Sequence, residues 1–138
     1  MKSLLTIFFI IITSLSFGQN KWKHIHESDR LKVIQDSLSV TGYVEDCYQY
    51  LDGDFVINLR LDSCFELLNS VNICKLGGLL EVEIICQHST IFADCFGYLN
   101  DVEIPKVGDH IRVLGTYVLD KRHKYNEIHP VLSLEFLK

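Results

Sequence analysis

Residues 105–131 read PKVGDHIRVLGTYVLDKRHKYNEIHPV, and this run constrains the fold more than any other in the chain. Pro105 and Gly108-Asp109 set a turn. Ile111, Val113, Gly115, Tyr117 and Leu119 then recur at every second position, the period of a strand with one buried face. A polar loop follows, and Ile128, Pro130, Leu132, Leu134 and Phe136 take up the same period on the way back. Two strands joined by a tight loop are marginal alone in water. The apolar face of this hairpin therefore requires further strands upstream.

Three such strands are legible. Leu38, Val40, Gly42 and Val44 alternate with Ser39, Thr41, Tyr43 and Glu45. Asp52-Gly53, a strong hairpin signal, separates them from Phe55, Ile57, Leu59 and Leu61. After an insertion over residues 63–76, where Phe65-Glu66-Leu67-Leu68 suggests a helical turn or two, Leu80, Val82, Ile84 and Cys86 alternate with Leu79, Glu81, Glu83 and Ile85. Ser89 is placed to cap a short helix over 90–96. These elements predict an all-β fold: a small five-stranded, OB-like Greek-key barrel with one short helix between strands three and four, and with Gly42 and Gly115 where strands must curl. An immunoglobulin-type sandwich wants more strands and a buried central Trp, whereas the one Trp here, Trp22, precedes the strands.

At the N-terminus, Lys2 precedes an apolar stretch over residues 4–12, and Ser16 and Gly18 are small residues of the kind a signal peptidase needs. The stretch is too short and too interrupted by Thr and Ser to span roughly 30 Å of hydrocarbon. No Cys follows the expected cut for lipid attachment, the first being Cys47. The expected organisation is a signal peptide over 1–18, a lead-in over 19–37 and the barrel over 38–138, in a secreted or periplasmic protein without a stable membrane anchor. Removing 18 residues from 138 leaves 120, which suits one core. The loss of Lys2 leaves 12 basic against 18 acidic residues. Nonspecific nucleic-acid binding runs on phosphate neutralisation, so nucleic acid is not the expected partner.

All five cysteines lie in the exported part, where disulfides form. An odd number leaves at least one thiol over, and no C-x-x-C unit suggests structural zinc. Cys86 ends the third strand and the short segment 87–94 returns Cys95 beside it, so Cys86 with Cys95 is the expected disulfide. Cys64 with Cys74 would staple the insertion, and Cys47 is the candidate odd thiol. A small buried hydrophobe is the alternative reading for each pair.

Three constellations bear on chemistry. The last hairpin carries Asp120, His123, Glu127 and His129, with Glu127 and His129 on one face of one strand. These residue types suit a divalent metal, but polar side chains commonly brace hairpin loops, and bracing with no metal or other cofactor is the reading adopted. Asp52-Gly53-Asp54, with Arg60 and Arg112 as phosphate clamps, invites comparison with thermonuclease-like enzymes. Asp-Gly is also what any tight turn prefers, and no downstream carboxylate cluster of that kind is recognisable. The loops between strands one and two and between four and five offer Tyr48, Tyr50, Lys121, Arg122 and Tyr125, to which Arg60 is added as a candidate ligand contact; in OB barrels these loops flank the binding groove. Glu81 and Glu83, on the presumed binding face, would repel phosphate. No G-x-S-x-G elbow or P-loop occurs, and His24 and His26 read as solvated residues of the lead-in.

The segments Val40-Thr41-Gly42, Asp52-Gly53-Asp54, 79–83, and Gly108-Asp109 through Gly115-Thr116-Tyr117-Val118-Leu119-Asp120 to Glu127-Ile128-His129-Pro130-Val131 resemble a family of small exported bacterial proteins with an OB-like barrel. The resemblance spans roughly residues 30–137 and is most specific over 120–131, although Lys124-Tyr125 stands where relatives often have Gly-Trp. It implies the fold and export, and no activity or site residue. The expected function is a non-enzymatic binding module whose ligand or envelope partner sits between the two loops. The alternatives are a metal-dependent hydrolase or nuclease on the same barrel, and a structural or adaptor protein of the envelope.

Overall fold

The computed structural model describes residues 20–88 and 90–138. The expected leader and the capping Ser89 lie outside them. Among the described residues five strands carry the fold: β1 (Leu31–Gln49), β2 (Phe55–Leu61), β3 (Leu80–Ile84), β4 (His110–Asp120) and β5 (Asn126–Phe136). They form one sheet in the order β1-β2-β3-β5-β4, and β4 pairs back onto β1, so the sheet closes on itself. Every pairing is antiparallel except β3 with β5.

Closure depends on β1, which is long enough to serve two neighbours. It pairs with β4 from Leu31 to Tyr43 and with β2 from Gly42 to Gln49, changing partner at Gly42 and Tyr43. A Cβ on Gly42 would lie 2.3 Å from the Arg60 carbonyl oxygen, and one on Gly115 would lie 2.3 Å from Ile128 Cγ2. Only glycine allows the strands this approach, in keeping with the bends expected there. The strand begins at Leu31, earlier than position 38, because residues 32–37 pair with β4 while staying exposed and so leave no alternation to read.

The interior is apolar: Val40, Val44, Ile57, Leu59, Leu80, Val82, Ile84, Ile111, Val113 and Ile128 pack together. The expected helix between the third and fourth strands is only a 3-10 turn, Ala93–Cys95. The α-helix among the described residues, α1 (Ser70–Lys75), lies instead between β2 and β3, after a 3-10 turn at Phe65–Leu67. Asn69 caps α1 through the amides of Val71 and Asn72, and buried Asn72 ties it to the sheet through Asn126. Side-chain oxygens at the N-cap offset the free amides of a first turn, which is how six residues hold a helix here.

The expected disulfide between Cys86 and Cys95 is formed, with Cα atoms 5.4 Å apart. Cys64 and Cys74 are both exposed and free, so the insertion carries no staple, and Cys47 is free as well. Residues 20–30 are not a solvated lead-in. Ile25 packs with Leu31, Ile85, Cys86, Cys95 and Val118 in a second apolar cluster, with Trp22 against it. His24 stacks on Tyr98 and its Nδ1 donates to the Asp94 carbonyl, while His26 pairs with the Asp94 carboxylate. This segment and the disulfide loop therefore cover part of the sheet's outer face. No helix among the described residues is long and apolar enough to cross a membrane.

Candidate functional site

Side chains alternate across a strand, so when Leu80, Val82 and Ile84 enter the core, Glu81 and Glu83 face outward from β3. The parallel pairing sets Glu81 beside Glu127 of β5, and two residues further along each strand come Glu83 and His129. Asp54 joins them from the residue before β2. This part of the outer face is nevertheless closed to solvent: Glu127 and His129 are 0 % exposed, Glu81 and Glu83 1 %, and Asp54 2 %. Four carboxylates and an imidazole thus share a dry space outside the barrel core.

Their partners are unequal. Glu81 accepts from the Tyr125 hydroxyl at 2.6 Å and from the Tyr48 hydroxyl at 3.3 Å, and Asp54 accepts from the Cys86 amide at 2.8 Å. His129 Nδ1 donates to Glu127 Oε1 at 3.1 Å. It lies equally close, 3.1 Å, to Glu83 Oε2, but off the line of a hydrogen bond. Its Nε2 faces Asp54 Oδ2 at 3.8 Å. Glu83 Oε2, Glu127 Oε2 and His129 Nε2 are buried and have no hydrogen-bond partner among the described residues.

Burial disfavours charge, and the carboxylates respond. Burial pushes Asp54 up to about 6, against the pull of His129. Burial, then the charges of Glu127, Glu81 and Asp54, hold Glu83 well above the usual carboxylate range despite Arg30. Burial also raises Glu81, partly offset by the Tyr125 hydroxyl. The hydroxyls of Tyr125 and Tyr48 are raised in turn, chiefly by burial.

Arg30 separates this cluster from the turn of the last hairpin. Its guanidinium pairs with Asp120 and stands 3.9 Å from Glu127 Oε1. Asp120 also accepts from the amides of Arg122 at 2.6 Å and His123 at 3.0 Å, and lies 3.0 Å from His123 Nδ1. Burial alone would raise Asp120, but the His123 amide, Arg30 and the Arg122 amide outweigh it and hold the carboxyl below its usual value. Of the four hairpin residues considered as metal ligands, Glu127 and His129 belong to the buried cluster, whereas Asp120 and His123 brace the turn beyond Arg30.

In front of Arg30 is a cleft of about 300 Å³ between the β1–β2 and β4–β5 loops, lined by Arg30, Tyr50, Asp52, Phe92, Arg122 and His123, with His26 and Glu27 from the N-terminal segment. Among the candidate ligand residues, Tyr50 and Arg122 line it. Tyr48 sits edge-on behind Tyr50, and Tyr125 is buried with its hydroxyl turned to Glu81, so neither presents a free ring. Lys121 is exposed outside the lining. Arg60 is at the other end of the β1–β2 hairpin, paired with Glu45, and Arg112 pairs with Glu135, so neither clamps anything beside Asp52 or Asp54. A larger cavity of about 530 Å³ lies against Tyr98 and Val131, but its wall begins at Asn20, the first residue of the described chain.

Sequence reasoning missed the convergence of Asp54, Glu81 and Glu83 with Glu127 and His129, and the part played by Arg30. The signal was present: strands three and five each carry two ionisable residues at alternate positions, and the sheet order makes these strands neighbours. Compared with protein-family models and with curated proteins, the chain matches none.

Proposed function

We propose that the chain is an exported, OB-like binding module that takes a small ligand in the cleft between its β1–β2 and β4–β5 loops. The strand order with a single parallel contact between β3 and β5 supports the OB-like reading, since that barrel brings its third and fifth strands together. The observation that carries the binding reading is the cleft itself: two loops, the N-terminal segment and Phe92 meet around two aromatic rings, two arginines and two histidines. A concave site with a few convergent polar groups is what small-ligand recognition requires. Arg30 and Arg122 are partly neutralised by Asp120 and Glu27, so the site favours a ligand with mixed polar and planar character over a phosphate chain. The hydrolase alternative is less favoured, because Glu81, Glu83, Glu127 and His129 are too deeply buried for a scissile bond to reach them.

A fragment library screened by NMR, with the imidazole resonances of His26 and His123 as reporters, tests the cleft. Hits that move both histidines and are lost in Tyr50→Ala support the reading. Hits confined to the cavity beside Tyr98, unaffected by Tyr50→Ala, would overturn it. For export, the mature protein recovered from the producing cell should have the mass of a chain starting at Gln19.

A further inference from the structure

The buried cluster asks for something its own side chains do not supply. Glu81 and Asp54 have donors from Tyr125, Tyr48 and the Cys86 amide. Glu83, Glu127 and His129 each keep one buried polar atom without a partner among the described residues, and His129 Nδ1 lies 3.1 Å from an oxygen of both Glu83 and Glu127. Such unpartnered atoms are rare in folded proteins because a buried polar group left unpaired has lost its water and gained nothing in return. Arg30, the cation that reaches the cluster, is already shared with Asp120.

We propose that Glu83, Glu127 and His129 bind a divalent ion of the zinc class, in a closed structural site on the outer face of the β3–β5 pair. Two donor atoms on one zinc ion, each roughly 2.0 to 2.2 Å from it, lie roughly 3 to 3.5 Å apart. His129 Nδ1 is 3.1 Å from both Glu83 Oε2 and Glu127 Oε1. Oxygens of Glu81, Glu83 and Glu127 also lie within 4.8 Å of one another, which puts Glu81 within reach as a fourth donor. With Nδ1 on the ion, Nε2 carries the ring proton and faces Asp54, the outer carboxylate that metal-bound histidines commonly use to fix their tautomer.

Donor chemistry selects the ion. Calcium takes six to eight oxygens and magnesium keeps much of its water, whereas imidazole with carboxylates suits zinc and, next to it, manganese. The ion partners Glu83 Oε2, offsets the carboxylate charge that a water would leave in place, and ties β3 to β5. This changes the reading of the last hairpin from the sequence: Asp120 and His123 brace it, while Glu127 and His129 are ligands. The inference does not depend on the cleft.

The test uses the whole mature protein, stripped with a chelator and titrated with zinc chloride, calcium serving as the control. One zinc per chain by calorimetry is expected. At a hundredfold excess of zinc over its dissociation constant, the folded-to-unfolded ratio should rise about a hundredfold, read as a higher melting temperature. Glu83→Gln and Glu127→Gln should fold without metal and lose the rise, whereas Asp120→Asn, although less stable, should keep it. His129→Ala is secondary, since it opens a cavity. Absence of zinc binding and of any melting shift in the wild type overturns the proposal. So does a shift that persists in both glutamine variants, as binding to the exposed thiols of Cys64 and Cys74 would give.

Discussion

The turn around Asp120 and the sheet face around Glu83 lie on opposite sides of one arginine and use the same residue types to opposite effect. At the turn, a fully buried carboxylate receives two backbone amides and a guanidinium, and is held below its usual pKa. On the face, Glu83 is as deeply buried among other carboxylates and is held well above its own. Burial is common to both, so the donors make the difference. A buried acid with donors stays charged and braces its surroundings, and a buried acid without them is driven toward its neutral form.

The comparison is easiest to break at the turn. Asp120→Ala leaves half-buried Arg30 without its main partner and two turn amides without an acceptor. It should cost about 3 to 5 kcal/mol, read from urea unfolding; a loss under about 1 kcal/mol would mean that the turn is no brace. Replacing Cys86 and Cys95 together with Ser should cost about 2 to 4 kcal/mol. It should also quicken amide exchange at Glu83 and Cys86 more than at Arg122 and His123, because the disulfide loop covers only the face.

Acidity separates the two regions by sign. Asp120 has a lowered folded pKa, so its stabilisation is present above the unfolded value of about 3.9 and is lost as pH falls through the folded one. Asp54 is raised to about 6, so the folded form binds its proton more tightly than the unfolded chain does. Its stabilisation is present below about 3.9 and is lost as pH rises through about 6. Glu83 acts in the same direction as Asp54. Metal-free protein should therefore melt highest in mildly acid solution, and lower at pH 7 and at pH 3. Glu83→Gln, in the absence of metal, should leave stability at pH 7 unchanged or raise it by on the order of 1 kcal/mol, since it removes a charge that burial opposes. The smallest effect should come from Arg122→Ala, which breaks a largely exposed pair with Glu27 and should cost less than about 1 kcal/mol.

The strands were legible because Val40, Ile57, Val82 and Val113 repeat at the sheet period and each is buried. The Cys86–Cys95 bond was legible because a strand end and a short return leave few other geometries. The helix was misplaced because α1 is only six residues long and held by Asn69 and Asn72, too short to show a helical period. The buried cluster was hidden for a different reason. Glu81 and Glu83 occupy outer positions, where acids normally meet water, and what they meet instead comes from other elements: the Tyr125 and Tyr48 hydroxyls at Glu81 and His129 at Glu83. Burial imposed from outside an element leaves no trace in that element's own pattern. Arg30 escaped notice likewise, since its partner Asp120 lies ninety positions away.

That separation governs how the chain comes together in time. β2 with β3 and β4 with β5 join neighbouring stretches and form early, whereas Leu31 pairs with Asp120 across nearly the whole domain. The ring cannot close until the last hairpin exists, and until then the long β1 and the inner edge of β4 present unpaired backbone to any neighbour. Late, non-local pairing is slow, so the open ribbon is the species most exposed to wrong partners. A refolding trace should accordingly have its slowest phase in the amides of residues 31–43, after the two hairpins are already protected.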